Sequence, residues 1–177
     1  PPTLTGWFVW ILLLWVLVYA LYRSRPYQPV WKGREWGIFF AFLILIPIAN
    51  LFIELKLTSA AARPYPGIPA NPGSALMLFS AIPWLLGGGM LGPIGAAALG
   101  AFAGLLRGTW DSYSIFPILE LAFLSAWFSV NMRQRFRTPA YKWLRQPFVG
   151  ALLLIPIHTL FYAISALFTQ WGVDTSA

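Results

Sequence analysis

Residues 92–108 read GPIGAAALGAFAGLLRG, a helix-length apolar stretch with a small residue at every fourth position. Wound as a helix, it sets Gly92, Ala96, Gly100, Gly104 and Gly108 in one stripe almost free of side chains, with Pro93 at its start. In water such a helix is weak, because each interior glycine costs about 1 kcal/mol relative to alanine. In lipid the same stripe lets another helix approach closely, so that dispersion and backbone contacts replace the missing hydrophobic driving force. The stretch therefore reads as the packing face of a membrane helix bundle. Arg107 closes it, Asp111 follows one turn later, and Glu120 lies a short way into the next apolar run.

Composition points the same way. Of 177 residues, 59% are hydrophobic and 10% charged, against about 25% charged in a soluble domain. The reading is an all-α fold, a polytopic membrane helix bundle forming a single membrane-embedded helical domain over residues 1–177. That domain is expected either as the ordered part of a longer polypeptide or as a compact subunit. Apolar stretches fall at about 4–22, 36–55, 74–91, 93–110, 114–132 and 147–169, enough for about six transmembrane helices of roughly 20 residues. The first is longer than a signal-peptide core and has no basic region before it, so it is read as a retained span. The third and fourth, separated by Gly87, Gly88, Gly89, Gly92 and Pro93 with no charge between them, form either a full hairpin or a shorter, re-entrant one. Residues 58–74, holding Pro64, Pro66, Pro69 and Pro72, form an irregular extended loop.

Orientation follows from the basic residues. Segments 23–35 and 133–146 hold nine of the twelve lysines and arginines, with Glu35 as their one acid. The positive-inside rule makes both loops cytoplasmic, in a multi-pass protein of the bacterial inner membrane. Trp7, Trp110 and Trp171 then mark the outer boundary and Trp31, Trp36 and Trp143 the inner one. The net charge of +7 is thereby a topology signal with lipid contact as its by-product, and no nucleic-acid partner is expected. The expected partners are membrane lipids and either other membrane subunits or a second copy of the chain.

The absence of cysteine excludes disulfides, thiolate metal sites and iron–sulfur clusters, and one histidine excludes a bis-histidine haem. No nucleophile–base pair, carboxylate dyad or metal-ligand spacing is present, so the chain reads as non-catalytic and without cofactor. Its candidate ligand or ion-pair site gathers Arg107, Asp111, Glu120, Asn50 and Glu54 in the outer half of the bundle. Arg107 and Glu120 are expected at matching depth on neighbouring antiparallel helices, as charges inside a membrane bundle are candidates for function. Glu54 has an alternative as an interfacial residue beside Lys56, and His158 reads as a hydrogen-bonded structural histidine near mid-span.

With Pro93, Gly95, Gly100, Gly104 and Arg107 in one span, the segment from about 75 to 130 resembles the membrane receptor domain of LytS-type bacterial sensors, the five-transmembrane 5TMR-LYT family. The resemblance implies an N-terminal sensing module feeding a cytoplasmic output domain, with Arg107 in the signal-responsive core. The bundle plan also looks like the substrate-binding subunits of energy-coupling-factor vitamin transporters. The sequence thus predicts a membrane sensor region of a signal-transduction protein. The alternatives are a cofactor-free accessory subunit of a larger membrane complex, such as an electron-transfer complex, and a component of a vitamin-type transporter.

Overall fold

Proline sets the starting point of helix after helix. Pro83, Pro93 and Pro117 each occupy the first turn of a helix, where the missing N–H costs no hydrogen bond and the fixed φ is already helical, and Pro147 opens another. The computed structural model describes residues 4–51, 55–56, 75–76, 80–109, 114–134, 143 and 145–170. Among these the fold is all-helical apart from one two-residue pairing. The helices are α1 (Leu4–Arg23), α2 (Gly33–Leu51), α3 (Ile82–Leu91), α4 (Pro93–Arg107), α5 (Phe116–Arg133) and α6 (Pro147–Gln170), with a 3₁₀ turn at Arg25–Tyr27. Two short strands, β1 (Leu55–Lys56) and β2 (Ala75–Leu76), pair antiparallel with Leu55 opposite Leu76.

Side-chain contacts fix the direction of each helix. Trp10 donates its indole N–H to the Ile115 carbonyl at 3.2 Å, and Leu17 packs on Leu119 and Ala122, so α1 and α5 run parallel. On α6, Phe168 stacks on Phe116 and Phe161 lies against Phe123, with ring centroids 6.4 and 5.5 Å apart, which makes α5 and α6 antiparallel. Gly100 faces Leu121 and Gly104 faces Pro117, so α4 and α5 are antiparallel as well. α5 is the central helix. Around it Ile46, Trp84, Leu91, Leu99, Leu124, Phe128 and Leu154 form the main core.

The short loop between α3 and α4 is a corner at Gly92, whose φ of +86° belongs to the region that favours glycine. A Cβ there would also lie 2.5 Å from Pro29 Cδ. α3 departs from the 74–91 stretch expected of a third span. It has ten residues, a length of about 15 Å at 1.5 Å per residue, half of a bilayer's hydrocarbon core of about 30 Å. Extension toward residue 74 is cut off because Pro83 sits in the first turn and residues 75–76 are drawn into pairing with 55–56.

Among the described residues, two helices are long and apolar enough to cross a membrane by length and composition, Leu4–Arg23 with mean hydropathy 2.2 and Pro147–Ser165 with 1.9. Ile82–Leu91 and Pro93–Arg107 are apolar but shorter. These features suggest association with a membrane. The outer faces fit it: α1 exposes Phe8, Ile11, Trp15 and Tyr19, and α6 exposes Phe148, Ile155, Leu160 and Tyr162.

Candidate functional site in the bundle interior

The last four carbonyls of a helix have no partner within it, and a ten-residue helix has few bonds to spare. In α3 all four are capped from outside. Ser129 Oγ donates to Gly88 O at 2.6 Å, and Arg133 Nη2 donates to Gly89 O at 3.1 Å and Met90 O at 2.6 Å. Gln28 Nε2 and Trp31 Nε1 both donate to Leu91 O at 3.1 Å. The Gln28 side chain also accepts from the Ile94 N–H at 3.0 Å, so one amide ties the end of α3 to the start of α4. The guanidinium of Arg133 adds a favourable charge at the negative end of the α3 dipole.

The helix interface next to this corner is equally close. A Cβ on Gly104 would lie 2.6 Å from Ile118 Cα, and one on Gly100 would lie 2.7 Å from the Leu121 carbonyl carbon. Ser125, fully buried, donates to the Ala96 carbonyl at 2.7 Å. Ala96, Gly100, Gly104 and Gly108 thus lie against α5 and its N-terminal approach, with Ser114 O 2.5 Å from where a Gly108 Cβ would be. Gly92 does different work, as the corner residue against Gln28 and Pro29.

At 100° per residue, Ser125, Ser129 and Arg133 share one side of α5, and Glu120 lies on the other, toward α6. Glu120 is buried, with 7% of its side chain exposed, and its carboxyl group pairs with His158 Nδ1. Phe116, Glu120 and Phe123 follow the i, i+4, i+7 spacing of one helix face, so the carboxylate lies between the Phe116–Phe168 and Phe123–Phe161 pairs. His158 is more open, with 41% of its side chain exposed. The imidazole can donate from Nδ1 to the carboxylate or accept there from the carboxylic acid, according to its tautomer. Either way the buried carboxyl group has a hydrogen-bond partner, in an apolar surrounding where an unpaired one is costly.

Of the five sequence-predicted site residues, Arg107 and Glu120 fall with their side chains in the described part of the structure. The register Gly100–Leu121 and Gly104–Pro117 puts Glu120 level with Ala101 and Arg107 level with Ser114. The two differ in depth by about six residues, or roughly 9 Å, because α4 runs on past the point where α5 begins. Arg107 is half-buried at the end of α4. Asn50 is in the last turn of α2, its side chain outside the described part. Asp111 and Glu54 lie outside the described residues. What sequence reasoning missed was the Glu120–His158 pair. The usable signal was that one buried-span carboxylate and the chain's one histidine both fall within apolar runs, where each needs a partner.

Among the described residues no group of three or more histidine, cysteine or acidic side chains is placed to hold a metal ion. Comparison with protein families, with characterised proteins and with solved structures returned no match.

Proposed function

We propose that the chain is a non-catalytic, multi-pass domain of the bacterial inner membrane, serving as the membrane sensor region of a signal-transduction protein. The observation that carries the reading is the buried Glu120–His158 pair on the face of α5 opposite its seam with α3 and α4. A buried ionisable pair in an apolar bundle is an element whose state a small ligand or a proton can change. It sits on the helix that leads to Arg133 and the basic end. The apolar outer faces of α1 and α6 support placement in lipid, and the nine basic residues of segments 23–35 and 133–146 support a cytoplasmic position for that end. The likeness of the Pro93–Arg107 pattern to LytS-type receptor domains supports a sensing role.

The test is made on the protein as the cell makes it. A tag at the native locus, read by blotting and mass, is expected to reveal a polypeptide far above 19.8 kDa that carries an output domain. Its output should change in Glu120→Gln. A polypeptide near that mass, purifying in fixed ratio with other membrane subunits, would instead establish the accessory-subunit reading.

A further inference from the structure

We propose that the crevice between the end of α1 and the second half of α5 binds one anionic phospholipid, with an acyl chain along its wall and the phosphate at Arg23. The proposal rests on the membrane reading above. The two helices are closed at one end, where Trp10 bonds to Ile115 and Leu17 packs on Leu119 and Ala122. Toward Arg23 and Val130 they part, leaving a cavity of about 250 Å³ that opens to the side. That is below the roughly 300–1,000 Å³ of sites enclosing a whole drug-sized ligand, and it suits a chain segment entering from the bilayer.

Leu17, Leu21, Phe123 and Trp127 give the cavity an apolar wall, and its polar groups gather at one mouth: Arg23, Ser24 and Tyr27. Ser24 Oγ is already spent on the Leu21 carbonyl at 2.9 Å, which leaves the Arg23 guanidinium and the Tyr27 hydroxyl facing a headgroup. The mouth lies where α1 ends, at the depth at which a phosphate meets a helix terminus in a bilayer. Charge complementarity selects an anionic lipid. Segment 23–35 carries four basic residues and Glu35 alone as acid, and the Glu35 carboxylate is turned to the Lys32 N–H at 2.8 Å.

The experiment is native mass spectrometry of the purified full chain in detergent with equimolar dioleoylphosphatidylglycerol and dioleoylphosphatidylcholine. The wild type is expected to retain the phosphatidylglycerol about fivefold more strongly, the factor for one arginine near an anionic lipid surface at about 1 kcal/mol, because the choline of phosphatidylcholine offsets its phosphate charge. Arg23→Gln should bring the two lipids to parity. Ala20→Phe, which fills the crevice, should lower retention of both, and Val130→Phe tests the same space if the first variant does not fold. Equal retention of the two lipids by the wild type would overturn the proposal, as would undiminished lipid binding in the filled variants. Displacement of the lipid by glycerol 3-phosphate would overturn it too, since that probe has the phosphate without the chain. Release of the chain from membranes by alkaline wash would instead refute the membrane reading.

Discussion

Ser129 on α5 donates a 2.6 Å hydrogen bond to the carbonyl of Gly88 on α3, and both groups are buried. The bond ties the shortest helix to the central one at the point where α3 loses its own hydrogen-bonding partners. Ser129→Ala should leave that carbonyl unsatisfied and destabilise the protein by about 1 kcal/mol, within the range measured for such bonds in water and in membranes. Thermal melting in detergent reads the change, and Ser125→Ala should give a comparable loss through Ala96. A melting temperature unchanged in both would mean that the seam contributes nothing.

The glycine stripe gives a larger effect with an internal control. Gly100→Leu and Gly104→Leu drive a side chain into the α5 backbone and should cost about 1–3 kcal/mol or more, the range for overpacking a close-fitting core. Gly37 has nothing within 4 Å of its added Cβ, so Gly37→Leu should melt near the wild type. Equal melting of all three would place the stripe away from any neighbour.

Glu120 and His158 are best tested as a cycle. Removing His158 leaves the buried Glu120 carboxyl group without its match, a loss of about 3–5 kcal/mol for such pairs, whereas removing Glu120 leaves an imidazole with 41% of its side chain exposed and costs less. His158→Leu should destabilise more strongly than Glu120→Leu, and the double variant should recover most of the His158→Leu loss. Additive losses in the double variant would show that the two side chains act independently.

The arrangement in the membrane is checked by chemistry on single cysteines, since the chain has none of its own. Cysteine placed at Arg34 or Arg137 should resist a membrane-impermeant thiol reagent in intact cells and react after lysis. Ready labelling of both from outside would reverse the orientation.

Much of the helical layout was legible because apolar runs and prolines mark it locally: the stretches at 4–22, 93–110 and 147–169 lie close to α1, α4 and α6. The stripe at Ala96, Gly100 and Gly104 was legible as a packing surface, since only a close neighbour gives small residues at that spacing a purpose. The third stretch was misjudged in length because hydropathy does not see the pairing of Leu55 with Leu76, a contact made across distant sequence. Relative depth, as for Arg107 and Glu120, is hard to read from sequence for a related reason. Counting residues from each end assumes that neighbouring helices finish level, and α4 overshoots the start of α5. The partnership of Glu120 with His158 depends on which face of α6 meets α5, and a uniformly apolar helix carries no periodicity from which to read it.

The capping of α3 has a consequence for biogenesis. The ribosome delivers α3 after Gln28 and Trp31 but well before Ser129 and Arg133, so its final turn emerges with one carbonyl provided for and three still waiting. A ten-residue segment is also too short to be recognised as a spanning element on its own. In the membrane reading proposed above, insertion of the hairpin is completed from behind: α5 arrives and offers its hydroxyl and guanidinium before α3 has a settled place. On that reading α3 stays unfinished until α5 has followed it, and the interval between the two is when the molecule is most open to quality control.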